Sequence, residues 1–317
     1  MSRRHWNPIT QSRDIEDLSA KDLLQLYEHY ETADICAAML GINRKTFSRY
    51  WRDLNLPQFD SIPKSTRTDG ETYEILACSD FHLGSNEQQP TALLDFLQMG
   101  IDNNIQTLLI PGDIIEGIMK RPGADQTRFL HTIDKIYDYT ASVFSKFADQ
   151  YDNIWIVAGN HDATLSTRDD GFDILHHLAR EFKTINYLET PNEVVKPVII
   201  DGGVSAVLFH GDSACPCNLA ARTRNITTNC INAGHRNLDF IFAGHCHKAT
   251  PPQDFWLQVT SFSLGCFQSI TSYLARKNLT PMVQGQRISY QTNKKGEAIN
   301  IINTPYNYDS ELKLNDR

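Results

Sequence analysis

The sequence predicts an α/β protein, a layered sandwich of sheets and helices, preceded by a small all-α unit. Three observations carry this. Residues 19–56 place their apolar side chains at helical spacing only. From Thr72 onward five short apolar runs recur, EILACSDFH, TLLIPGD, NIWIVAGNHD, SAVLFHGD and DFIFAGHCH, each closed by a polar cluster. Helical stretches separate the first three runs, and such a strand–helix alternation implies a parallel-containing sheet covered on its faces.

In the first unit, Ser19 is placed to cap a helix, with Asp22 as its acidic partner, before Leu23, Leu24, Leu26, Tyr27 and Tyr30. Thr32 is read as the cap of a second short helix carrying Ile35, Ala38 and Met39, which Gly41 ends. A third runs from about Asn43 to Leu54, with Phe47, Tyr50, Trp51 and Leu54 on one face. The Pro-, Ser- and Thr-rich stretch that follows lacks periodicity and reads as a linker. The predicted domains are therefore 1–56, a linker at 57–71, and 72–317.

In the large domain, apolar runs of this length are buried strands rather than helices. The intervening helices are expected at about Pro90–Asn103 and Gln126–Asp149. After Asp254 the pieces FWLQVTSFSLG, RISYQT and AINIINTP are expected to form a second sheet.

Composition bounds the rest. The 317 residues are 41% hydrophobic and 21% charged, with a formal net charge of −8, which argues against coating nucleic acid by bulk electrostatics. No secretory signal or membrane-length apolar run is present in the sequence, so a cytoplasmic location and no membrane partner are expected. The seven cysteines, odd in number and scattered, are read as reduced thiols.

The chemistry falls where the strands end. Open α/β sheets place their ligand crevice at the carboxyl ends of strands. There the five runs deliver Asp80 and His82; Asp113; Asn160, His161 and Asp162; His210; and His245 and His247. Any one of these has a plain reading as a turn or a surface histidine. Five in order, each behind its own strand, form a set of oxygen and nitrogen donors suited to Mn, Fe or Zn.

Asp80-Phe-His82, Gly112-Asp113, Gly159-Asn160-His161-Asp162, His210-Gly211-Asp212 and Gly244-His245-Cys246-His247 resemble the signature of the calcineurin-like metallophosphoesterases over about residues 72–265. The resemblance implies a four-layer sandwich with two central mixed β-sheets flanked by helices. It also implies two divalent ions, Mn first, with Fe, Zn, Mg or Ni as alternatives. One ion would take Asp80, His82, Asp113 and His247; the other would share Asp113 and add Asn160, His210 and His245. The implied reaction is in-line attack of a metal-bridging hydroxide on a phosphoester. His161 would then protonate the leaving group, and Asp162 would keep it protonated or simply form the turn.

Gly112-Asp-Ile-Ile-Glu116-Gly117 lacks the Arg of the protein-phosphatase motif. With Gly159-Asn-His-Asp-Ala163 and Gly244-His-Cys-His-Lys248, it is more similar to DNA-processing members of the family. These include the double-strand-break-repair nucleases and the small subunit of archaeal family-D polymerase. The capping region of the former and the OB domain of the latter are not evident in the sequence.

Residues 34–52 resemble a helix-turn-helix, with Asn43, Arg44, Lys45, Ser48, Arg49 and Arg52 outward and suited to a DNA groove. Residues 1–60 as a whole have 8 Lys/Arg against 9 Asp/Glu, so the basic character belongs to one helix, and a protein-binding module is the other reading. Arg121, in the loop Met119–Arg128, and Arg222 and Arg224, in Ser213–Leu238, are candidates for substrate phosphates. The expected function is a metal-dependent phosphodiesterase and DNA nuclease, partnered by DNA and by a second copy or an ATPase. The alternatives are a phosphomonoesterase or nucleotide phosphodiesterase, and a DNA-binding regulator with a non-catalytic metal site.

Overall fold

The first unit is built on local signals. The computed structural model describes residues 18–30, 33–56, 68–119, 123–166, 171–188, 197–211, 219–235, 238–255, 259–293 and 296–308; Thr32 and Arg121 lie outside these. The helices α1 (Ala20–Tyr30), α2 (Ala33–Met39) and α3 (Arg44–Asp53) enclose a small core of Leu23, Leu26, Tyr27, Cys36, Ala37, Phe47 and Trp51. Ser19 and Asp22 form a reciprocal cap at the start of α1, the Ser19 N–H donating to Asp22 Oδ2 at 2.9 Å and the Asp22 N–H to Ser19 Oγ at 3.2 Å. Gly41 turns the chain after α2 with φ of 71°, and the Ile42 N–H reaches back to the Ala37 carbonyl at 3.0 Å.

A second compact unit begins at Thr68. In chain order it contains β1 (Thr68–Ala77), α4 (Pro90–Asp102), β2 (Thr107–Pro111), α5 (Ile133–Phe144), β3 (Asn153–Val157), α6 (Ala163–Ser166), α7 (Ile174–Glu181), β4 (Ile185–Leu188), β5 (Val198–Ile199) and β6 (Ser205–Phe209). There follow α8 (Leu219–Asn232), β7 (Phe240–Ala243), β8 (Gln253–Phe255), β9 (Val259–Ser263), α9 (Ser272–Arg276), β10 (Gln284–Asn293) and β11 (Ala298–Asn307). One sheet has the order β11-β10-β1-β2-β3-β4 and the other β5-β6-β7-β9-β8. The β1–β4 pairs are parallel, as are β6–β7 and β7–β9, while β10, β11, β5 and β8 pair antiparallel, so both sheets are mixed.

Alternation along the strands explains the layers. Leu76, Leu108, Ile110, Ile154 and Ile156 face one core with Leu93, Phe96 and Leu97 of α4, Ile136 and Phe144 of α5, and Leu175 and Leu178 of α7. Their neighbours Ile75, Leu109 and Val157 face a second core, shared with Leu208, Phe240, Phe242 and Phe262 of the other sheet. The far face of that sheet is covered by α8, whose Thr227 hydroxyl lies 3.3 Å from the Ser261 hydroxyl of β9. The result is helices, sheet, sheet and helix. Strands buried on both faces need continuous apolar runs.

Three expectations are corrected. β1 starts at Thr68, inside the stretch read as linker, because Thr68 pairs with Asn293. β10 and β11 extend the first sheet rather than the second, since β10 runs antiparallel to β1 from Tyr73↔Tyr290 to Ala77↔Gln286. The helix read over Gln126–Asp149 shortens to Ile133–Phe144, because the backbone at Thr127 and Phe129 is held by Asn86 and Gly84. Among the described residues, no helix is long and apolar enough to cross a membrane. Cys36, Cys78, Cys230 and Cys266 are free, whereas Cys246 is disulfide-bonded, so the thiols are not uniformly reduced as expected.

Candidate active site

The site is assembled where parallel strands stop. Asp80 follows β1, Asp113 follows β2, Asn160 and His161 follow β3, His210 follows β6, and His245 and His247 follow β7. Four of these residues and His82 hold left-handed backbone: Asp80 (φ 57°), His82 (48°), Asp113 (53°), His245 (80°) and His247 (52°). Non-glycine residues rarely take this conformation, and each costs on the order of 1–2 kcal/mol. The surrounding hydrogen bonds hold them there: the Asp80 N–H donates to the Gly112 carbonyl and the His82 N–H to the Asp113 carbonyl, both at 3.0 Å.

The motif glycines have a steric reason. A Cβ on Gly159 would sit 2.1 Å from Asp113 Oδ1. One on Gly112, whose φ is 89°, would sit 2.5 Å from His210 Nδ1. Strand ends from both sheets meet here without room for a methyl group.

The donor atoms converge. His247 Nε2 lies 3.2 Å from Asp80 Oδ1 and 3.1 Å from His82 Nε2. Asp113 Oδ2 lies 3.1 Å from His210 Nε2 and 3.8 Å from His82 Nε2. His245 Nδ1 is 2.9 Å from Asn160 Oδ1. Ligand atoms of Asp80, His82 and His247 lie within 4.8 Å of one another, as do those of Asp113, His210 and His245, and those of His82, Asp113 and His161. His161 was read as lying off the ligand set, yet its ring stands with its centroid 4.6 Å from that of His82.

Tautomers follow from the partners. His210 Nδ1 faces the Pro111 carbonyl at 2.6 Å and His161 Nδ1 the Glu116 carbonyl at 2.7 Å. A carbonyl only accepts, so both Nδ1 atoms carry the proton and donate it. His82 Nδ1 is likewise held by Glu116 Oε2 at 2.9 Å, which turns its Nε2 lone pair towards Asp113 and His247. His210 Nε2 is buried and faces the Asp113 carboxylate. Buried nitrogens facing carboxylates and one another, with Nδ1 of His82 and of His210 tied back by oxygens, fit a divalent cation better than a hydrogen-bond network.

Electrostatics agree. Burial would raise the Asp80 carboxyl, but the charge of His247 beside it outweighs that and holds it at about 2. Asp113 is likewise held well below the usual range, burial being outweighed by His210 and His161. His82 is pushed down by burial and by His161, and His245 by burial and His210, which favours neutral imidazoles. His210 rises to about 9 because Asp113 more than offsets its burial. The cluster keeps its carboxylates ionised and draws positive charge inward.

Sequence reasoning missed Glu116. Buried beneath His82, its carboxylate also accepts from Thr127 Oγ1 at 3.2 Å and Gln268 Nε2 at 3.1 Å, and lies 3.8 Å from His161 Nδ1. The one available signal was a carboxylate three residues after Asp113. Asp162 has two readings in the sequence, a partner for His161 or a turn-former, and its carboxylate accepts backbone N–H groups, from Gly159 at 2.8 Å, Ile115 at 3.0 Å and Ile114 at 3.3 Å, in keeping with the second. It clamps the loops after β2 and β3 together. Burial and Asp113 raise it to about 7.

Of the candidate phosphate ligands, Arg222 reaches the rim: its Nη1 donates to the Gly244 carbonyl at 2.7 Å, its guanidinium lies over Phe209, and its Nη2 is buried with no hydrogen-bond partner. Arg224 is exposed on α8. On α3, Asn43 caps the helix, its Oδ1 accepting from the Thr46 N–H at 2.9 Å, so its side chain serves the fold. Arg44 pairs with Asp34 at 3.1 Å, Arg52 Nε donates to the Ser48 carbonyl at 3.3 Å, and Arg49 lies over Tyr50. Lys45 and Arg49 are exposed and Ser48 half-buried.

Two mixed sheets between helices, with an Asp, His and Asn cluster at their shared carboxyl edge, define a phosphoesterase-type metal-binding protein. The chain belongs to the calcineurin-like phosphoesterase family, whose profile matches residues 73–249. It is 32% identical over 165 residues to a protein of Halobacterium salinarum named DNA polymerase II small subunit, covering 49% of this chain and 30% of that one. A protein of the same name from Pyrococcus furiosus is 26% identical over 170 residues, covering 47% and 27%. The matched stretch thus spans less than a third of these relatives' own length. Among solved structures, Vps29 of Chaetomium thermophilum is similar over 75% of this chain and 99% of its own, with a TM-score of 0.35 and 14% identity.

Proposed function

We propose that this chain is a dinuclear-metal phosphodiesterase acting on nucleic acid, a DNA nuclease with Mn as the working ion. The observation that carries this reading is the pair of donor groups, Asp80–His82–His247 and Asp113–His210–His245, bordering one another at the ends of two sheets. Asp80, His82, Asp113 and His247 would hold one ion, and Asp113, Asn160, His210 and His245 the other. When bound, such ions supply a hydroxide nucleophile at neutral pH and neutralise phosphoryl oxygens.

The chain's own groups do the rest. Glu116 fixes the His82 ring, and the Glu116 carbonyl holds His161 through Nδ1, leaving His161 Nε2 to give a proton to the leaving oxygen. Arg222 Nη2, buried and unbonded, would donate to a non-bridging phosphate oxygen. The choice of nucleic acid is supported by relatives named as DNA polymerase subunits and by the exposed cations of α3. As those relatives are named small subunits, assembly with a larger partner belongs to the same reading.

The test is to incubate the Mn-loaded protein with labelled single- and double-stranded DNA and RNA and resolve products by length. In parallel, bis(p-nitrophenyl) phosphate is compared with p-nitrophenyl phosphate. Length-resolved cleavage of DNA and preference for the diester are expected; preference for the monoester would sink the nuclease reading. His161→Ala should keep its metal while turnover falls by about 10²–10⁴-fold.

A further inference from the structure

Between Asp254 and Glu297 the chain has no acidic residue, although at its average of 38 Asp and Glu in 317 residues about five would be expected in those 42 positions. The described part of this stretch includes a lobe, residues 269–282, built on the active site itself. At one foot the Phe267 N–H donates to the Asp80 carbonyl at 2.9 Å and the Ser269 N–H to the Glu87 carbonyl at 2.7 Å. At the other, the Met282 N–H donates to the His247 carbonyl at 2.8 Å. Both feet therefore stand on backbone belonging to, or close to, the metal-ligating segments.

The lobe is held in shape locally. Thr271 caps α9, its hydroxyl accepting from the Leu274 N–H at 3.2 Å, and Asn278, with φ of 54°, lets the Leu279 N–H return to the Leu274 carbonyl at 2.9 Å. What this frame presents is unusual: Ile270 (43% exposed), Tyr273 (40%), Leu279 (39%) and Met282 (38%), with Arg276 and Lys277 also exposed. Large apolar and aromatic groups beside cations, with no acid nearby in the chain, match a polyanion that also offers flat apolar faces.

We infer that this lobe is the platform on which an unpaired strand of nucleic acid lies as it enters the active site. Tyr273 and its apolar neighbours stack against exposed bases, while Arg276 and Lys277 contact phosphates. A duplex keeps its bases inside, so an unpaired strand fits these side chains better. The inference rests on the nucleic-acid reading above.

The experiment uses the full chain loaded with Mn and a fluorescein-labelled single-stranded oligonucleotide, with affinity followed by anisotropy across a salt series. Tyr273→Ala should weaken binding about tenfold, while Tyr273→Phe, which keeps the ring, should bind like the parent. R276Q combined with K277Q should lower the slope of log affinity against log salt by about 1.4, two phosphate contacts at about 0.7 each. Hydrolysis of bis(p-nitrophenyl) phosphate should stay within about twofold in every variant, because none of these side chains holds the ions. Unchanged affinity and salt slope in the variants, with a parent that binds, would overturn the platform alone. A parent that hydrolyses the small diester yet binds no nucleic acid would overturn the platform and the nucleic-acid reading together. Loss of self-association in the variants, with oligonucleotide affinity intact, would make the lobe a protein interface and overturn the proposal.

Discussion

Glu116 shows how much one residue can organise. Its carboxylate meets His82, Thr127 and Gln268, while its carbonyl takes the proton of His161 Nδ1. Burial raises its carboxyl, and the His82 contact outweighs burial and lowers it, so the group stays ionised beneath the ring it orients. Outer partners of metal-ligating histidines typically change affinity 10–100-fold when removed. Glu116→Gln keeps the shape and removes the charge, so Mn affinity measured by calorimetry is expected to fall by about that factor with the fold intact. An unchanged affinity would show that His82 does not need this carboxylate. Asp80, Asp113 and the histidines were legible in the sequence because each stands in a short motif behind its own strand. Glu116 was not, because its partners His82 and Gln268 lie 34 and 152 positions away. Asp162 was legible only as a pair of alternatives for a related reason. Adjacency to His161 allowed a side-chain pair as readily as a turn, and the carboxylate turns to the backbone of the loop after β2.

At the scale of elements, the strands that carry the site were legible because burial on both faces forces runs such as TLLIP and FIFA. The partners of β10 were not. Its alternating pattern fits the edge of either sheet, and the strand it joins, β1, lies more than 200 residues earlier. The α3 helix was legible in its apolar face, Phe47 and Trp51, and only partly in its polar one. Asn43 is committed to capping and Arg44 to Asp34, which leaves Lys45 and Arg49 as the cations most available to a phosphate backbone. If α3 engages duplex DNA, K45Q with R49Q should reduce the salt slope of duplex binding by about 1.8, two contacts at about 0.9 each. Hydrolysis of a small diester should not change. A duplex affinity and slope equal to the parent's would favour the protein-binding reading of this unit.

Over the whole molecule, the site exists because two sheets end at one edge, β1–β3 from one and β6–β7 from the other. Asp113 of the first sheet and His210 of the second meet at 3.1 Å, with both side chains almost fully buried. Without cations this edge gathers ionised carboxylates and several imidazoles in a place that water hardly reaches, and five left-handed residues add backbone strain. Ions bound only by the folded state stabilise it by mass action, about 4 kcal/mol for one site at a thousand times its dissociation constant. For a unit of this size that corresponds to a melting point about 10 °C higher. Scanning calorimetry of the Mn-loaded chain against the same chain after exhaustive chelation should show a fall of that order, reversed by adding Mn. The converging donors would then act as a link between the two sheets as well as a reaction centre. A melting point indifferent to chelation, in protein shown by elemental analysis to have lost its metal, would mean that hydrophobic packing between the sheets holds this edge unaided and that the ions bind a framework already rigid.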